Sequence, residues 1–361
     1  MNKGIVISKK SILIILLGII FIWIIGNIPS ILNFKVLYTH ADWKLSQYNV
    51  NYFDHGFIRR GLVGTILFPI MHNYVNNPEL QKFFIFWKET LLFFIYGFLF
   101  CILIIQKTSL QSNWLKFSLL SCLFLSPCGL VMAAYDFGRY DHVNFIILAI
   151  ILYLIDKKKF KLISYLLSIA VLIHENSIFY IHPLVTALSF QNIRADFKNI
   201  FRLNFPSIII ASLVFIFGDK TVELPEQLSR GAMAWGEGLH FYFFKAFSEK
   251  GYDVIIFFTY IFLISLILFS FYKRNRLNID LKIVSCFFPL ILLTIASDWG
   301  RWVHYIFINF MIVICYKISS SRKIELDKSF YICLSLIALP FGPIGIGDSL
   351  PYLTLIFEKF F

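Results

Sequence analysis

Two short stretches set an aspartate, an arginine and a histidine against apolar runs. Asp136-Phe-Gly-Arg139-Tyr-Asp141-His142 and Asp298-Trp-Gly-Arg301-Trp-Val-His304 share one pattern: Asp, aromatic, Gly, Arg, aromatic, any residue, His. An acid and an arginine three apart can pair, and the arginine then keeps donors to spare for a phosphate. Gly138 and Gly300 permit a tight turn, which puts His142 and His304 about one turn into the next helix. A capped turn in an aromatic interface belt fits the same residues. A second group is "LIHENSIFYIHP", where His174 and Glu175 interrupt an apolar stretch and His182 follows. This is not the HExxH spacing and it offers too few ligands for zinc. A general base, a pair that orients a hydroxyl, or a satisfied buried His–Glu pair remain as readings. The third group is "YFDHGFIRRGLVGTILFPIMH", with Asp54 and His55 just before the adjacent Arg59 and Arg60. Such a pair suits an anion, either a ligand or lipid headgroups. Ile58, Leu62, Ile66 and Ile70 recur every four residues, the period of a short interfacial helix.

The elements that must position these residues are membrane helices. The 361 residues are 58% hydrophobic and 15% charged, with a mean hydropathy of +0.75. That balance is outside the range of soluble globular domains. Apolar runs predict an all-α bundle, one integral domain over 1–361, with about eleven spans. They fall at 11–31, 90–106, 117–134, 143–155, 162–174, 177–190, 204–218, 253–272, 282–296, 303–316 and 329–345. The first is read as an uncleaved anchor. Outer loops are expected at 32–89, with the interfacial helix, and at 219–252, where Trp235, His240 and Tyr242 could stack on and bond a carbohydrate.

Charge orients the bundle. Lys3, Lys9 and Lys10, the "DKKKFK" run from Asp156, Lys273 with Arg274, and Lys317 with Lys323 fall on alternate connections, which makes that side cytoplasmic. The net charge of +12 is therefore a topology signal, and no nucleic-acid partner is expected. Asp136, Arg139, Asp141, Glu175, Asp298, Arg301 and every histidine but His182 fall on the opposite side. The six cysteines lie in apolar runs without a CxxC pair and read as core residues. No Walker A, GxGxxG or GxSxG pattern occurs, so neither a nucleotide nor another cofactor is expected, nor a metal.

With "YNVNYFDHGFIRRGLVGTIL", "DFGRYDH", "DWGRW" and "HENSIFYIHP", the chain resembles the O-antigen and capsule polymerases called Wzy. In layout the resemblance covers most of the chain. Its early and central outer loops differ from the two large loops that the best-known members carry in their second halves. The resemblance implies a bacterial inner-membrane enzyme that joins undecaprenyl-diphosphate-linked repeat units, donor and acceptor both lipid-linked, on the periplasmic face. A chain-length regulator and membrane lipids would be its partners. It implies Arg139 and Arg301 as diphosphate ligands, with Arg59 and Arg60 next. It implies Glu175 with His174 as base, Asp54 second, and Asp136 and Asp298 orienting the arginines. Asp141, His142 and His304 would support them. The competing expectations are a transferase of the GT-C type using a polyprenyl-phosphate sugar with Asp54 as base, a glycan acyltransferase, and a lipid-linked glycan transporter.

Overall fold

A computed structural model describes residues 8–28, 31, 41–74, 76–135, 138–190, 197–218, 251–275, 280–294, 299–320, 324, 326 and 328–339. Asp136, Asp298 and residues 219–250 of the expected 219–252 outer loop lie outside them. The described residues form helices and no strand. In chain order these are α1 (Lys9–Gly26), α2 (Ala41–Asn49), α3 (Tyr52–His55), α4 (Gly61–Asn73), α5 (Pro78–Lys107), α6 (Asn113–Leu125), α7 (Leu130–Tyr135) and α8 (Asp141–Asp156). They continue with α9 (Phe160–Ile173), α10 (Ser177–Ser189), α11 (Phe197–Phe217), α12 (Gly251–Arg274), α13 (Leu281–Phe287), α14 (Trp299–Ser320) and α15 (Lys328–Ile337). Among the described residues, six stretches are long and apolar enough to cross a membrane: Lys9–Gly26, Pro78–Lys107, Asn113–Ala134, Lys198–Phe217, Phe257–Arg274 and Gly300–Ser320. The protein is an α-helical membrane protein.

The helices differ from the apolar runs where charge interrupts them. α5 begins at Pro78, so the last part of the expected 32–89 loop is helix. Lys82, Lys88 and Glu89 break the apolar pattern there, but each has a partner: Lys82 meets Glu79 at 2.9 Å and Lys88 meets Glu89 at 2.6 Å. α4 starts at Gly61, so Ile58 lies before the helix and is buried. The expected stripe turns outward at Ile66, while Gly61, Val63, Gly64 and Met71 face the protein. The break after α9 is a true interruption. His174 is extended, and the Ser177 and Ile178 amides bond back three residues to His174 and Glu175.

The chain divides into two compact units. The first comprises residues 1–28, 97–136 and 238–361. Its most buried long helix is α14, in which Trp302, Tyr305 and Phe310 are enclosed. Gly26 on α1 lies so close to Ala134 on α7 that a Cβ there would overlap it. The second unit comprises residues 29–96 and 137–237, with α2 to α4, most of α5, and α8 to α11. In it α4 packs against the Tyr48–Tyr52 segment. Gly64 sits on the Val50 carbonyl, where any larger residue would collide.

Candidate functional site

The second unit buries an arginine–glutamate pair. Arg60 caps the start of α4 in a left-handed conformation, φ 62° and ψ 11°, which non-glycine residues seldom adopt. That backbone aims the guanidinium at Glu175 in the α9–α10 turn. Its Nη2 donates to Oε1 at 2.6 Å, and its Nε lies 3.2 and 3.1 Å from the two carboxylate oxygens. Glu175 is 0% exposed and Arg60 9%. The preceding residue, Arg59, is also buried, and its amide donates to the Gly218 carbonyl at 2.9 Å. Burial alone would raise the Glu175 carboxyl. The Arg60 charge, then His174, the Arg60 hydrogen bonds and Arg59 outweigh it and hold the group well below the usual carboxylate range. The Asn176 amide donates to His174 Nδ1 at 3.3 Å. The same Nδ1 lies 3.5 Å from Glu175 Oε2.

A second pair lies in the same unit. Glu89 on α5 is fully buried and accepts from the Tyr48 hydroxyl at 2.6 Å. Its other oxygen is 2.8 Å from His142 Nδ1. Lys88 stands 2.6 Å from the same carboxylate and 4.0 Å from the centre of the Tyr48 ring. The His142 ring stacks on Tyr96 with centroids 6.1 Å apart. A carboxylate at Nδ1 holds a proton on that nitrogen and fixes the orientation of the ring.

Tyr140 packs on the tyrosine that bonds Glu89. Its ring meets Tyr48 edge-on at 5.0 Å, and its hydroxyl donates to the Gln47 carbonyl at 2.6 Å. Burial pushes that hydroxyl far above its usual value; the Arg60 charge opposes the shift and the Glu89 charge adds to it, so Tyr140 feels both pairs. The turn before it is held by Gly138, at φ 93°, whose carbonyl lies 3.3 Å from the Tyr48 hydroxyl. Arg139 is buried in this turn, and Asp141, also buried, begins α8. One turn on, Asn144 is fully enclosed and neither amide atom has a protein partner; the buried Ser177 Oγ at the start of α10 lacks one too. Buried polar groups ordinarily have a partner, and a ligand rich in hydroxyls could supply one here.

Thus Arg59, Arg60, His174, Glu175, Arg139, Asp141 and His142 all belong to one unit. Asp54 does too, exposed on α3 and accepting from Asn51 Nδ2 at 2.9 Å. Arg301 and His304 belong to the other. There Arg301 donates to the Tyr305 hydroxyl at 3.0 Å, and His304 Nδ1 lies 2.7 Å from the Cys128 carbonyl. His182 lies on α10, 3.3 Å from the Ser207 hydroxyl. Glu89, Lys88 and Tyr48 belong to none of the sequence patterns, and Tyr140 enters only as the aromatic of the first repeat. The signal for Glu89 was present, since an ionisable residue inside "FFIFWKETLLFF" is by default a functional candidate. Among the described residues no three His, Cys, Asp or Glu side chains cluster as metal ligands would. No family model matches this sequence, and neither a curated protein nor a solved structure matches it.

Proposed function

We propose that the protein is a membrane glycosyltransferase that polymerises polyprenyl-diphosphate-linked glycan repeats on the non-cytoplasmic face of the bacterial inner membrane. One observation carries the reading: Arg60, locked by Glu175 beside Arg59, shares a unit with the buried Glu89–His142 pair. In this reaction a bond from the donor sugar to the diphosphate breaks, and the acceptor hydroxyl loses a proton. Arg59 and Arg60, with Arg139, stabilise the charge that grows on the departing diphosphate, an effect strengthened in a site shielded from water. Glu175 is a positioning residue in this reading. Its carboxylate is spent on Arg60, and a group held so acidic is a weak base. His142, oriented by Glu89, accepts the proton. The finer topology of about eleven spans with a cytoplasmic N-terminus belongs to the same proposal.

Purified protein in liposomes, supplied with a diphosphate-linked repeat unit, tests this. Wild type is expected to give a ladder of chain lengths, and His142→Ala or Arg59→Ala only single repeats. Normal ladders from both variants would remove the assignment. Exposed Asp54 favours a second reading, transfer from a polyprenyl-phosphate sugar with Asp54 as base. Turnover of that donor, lost in Asp54→Asn alone, would select it.

A further inference from the structure

Away from this site, a cavity of about 560 Å³ opens between the starts of α9 and α11. Lys161 and Arg202 line it, and among the described residues no carboxylate does. At its wall Ser164 is 8% exposed, and its hydroxyl has no protein partner. Asn199 adds an amide, and Tyr165 and Leu203 add apolar surface. The helices beside the opening are apolar and uncovered: Leu162 and Tyr165 on α9, and Phe201 and Phe205 on α11, are all exposed. In a membrane protein such surfaces meet acyl chains. The basic run Lys157, Lys158, Lys159 leads directly into α9.

These features describe two cations and an amide at a lipid-facing groove. A free phosphate would use the cations alone. A phospholipid uses the cations and the apolar flanks together, and basic pockets between membrane helices recognise such headgroups. We propose that this cleft binds one anionic glycerophospholipid. Lys161 and Arg202 hold the phosphate, Asn199 lies beside it, and the acyl chains lie along α9 and α11. The proposal does not rest on the transferase reading, and no residue of that site takes part.

The full chain, reconstituted in phosphatidylcholine discs doped with phosphatidylglycerol and released for native mass spectrometry, provides the test. Wild type is expected to retain one phosphatidylglycerol in preference to phosphatidylcholine. Lys161→Gln and Arg202→Gln each lower retention about fivefold, the factor that one lost cation near a phosphate carries. Both side chains are exposed, so helical content by circular dichroism stays at the wild-type value. Lys158→Gln, outside the cleft, leaves retention unchanged. Equal retention of the two lipids by wild type overturns the proposal without any variant. An equal loss in Lys158→Gln would show a diffuse basic surface and overturn it too. Displacement of the lipid by millimolar inorganic phosphate would assign the cleft to a free anion instead.

Discussion

Truncating Arg60 to alanine strands a carboxylate that has no access to water, since Glu175 is 0% exposed. Removing one partner of a buried pair costs about 3–5 kcal/mol, mostly the penalty of the abandoned charge. Chemical unfolding in detergent is expected to find Arg60→Ala destabilised by that amount. Adding Glu175→Gln recovers most of the loss, because the stranded charge is gone, yet polymer ladders stay absent because the diphosphate ligand is still missing. A merely structural Arg60 would return activity along with stability. The pair also gives acid sensitivity a sign. Its folded carboxyl is depressed, so the stabilisation is complete above the ordinary carboxylate pKa of about 4.3 and fades as pH falls below it. Thermal unfolding followed from pH 6 downward is expected to fall in the wild type and to be flatter in Glu175→Gln.

Among the elements, α4 carries the greatest positional demand, because it sets where Arg60 begins. Gly64 lies against the Val50 carbonyl, and backbone cannot yield as a flexible side chain can. Gly64→Ala is expected to cost about 1–3 kcal/mol by overpacking and to tilt α4 away from the Tyr48–Tyr52 segment. Loss of ladders with helical content unchanged would be the sign, read by transfer assay and circular dichroism. This element also marks what the sequence could disclose. The four-residue repeat of Leu62, Ile66 and Ile70 announced a helix, and the glycines announced close approach. The repeat could not say that the stripe faces outward, because lipid-facing and core-facing residues are equally apolar in a membrane protein. For the same reason α5 was read as starting too late. Lys88 and Glu89 looked like loop charges until a tyrosine and a histidine from distant segments were seen to satisfy the acid. Arg60 could be picked out by its type and its neighbour, but its partner 115 residues away could not.

For the whole molecule, depth is the informative coordinate. From Glu89 to Lys107 on α5 is eighteen residues, about 27 Å of helix, close to the thickness of the hydrocarbon core. From His142 to Lys157, just past the end of α8, is about 22 Å by the same measure. Glu89 and His142 therefore each lie about one hydrocarbon thickness or less from a lysine at the far end of their helix. Impermeant maleimide is expected to label Asp54→Cys in intact spheroplasts and Lys158→Cys only after permeabilisation. Five of the six native cysteines are buried, so background labelling is low. Labelling of both positions from outside would reverse the topology. The Arg60–Glu175 pair has a last consequence, in the order of assembly. Synthesis runs from the N-terminus, so the arginine is in place 115 residues before its acid emerges in the tip of the α9–α10 hairpin. A carboxylate drawn into a membrane alone resists insertion; one that meets a waiting cation is captured. The ribosome's direction thus makes the cation the template and the hairpin the piece that docks on it. In a pulse-labelled Arg60→Ala chain, residues 160–189 are expected to stay protease-sensitive for longer.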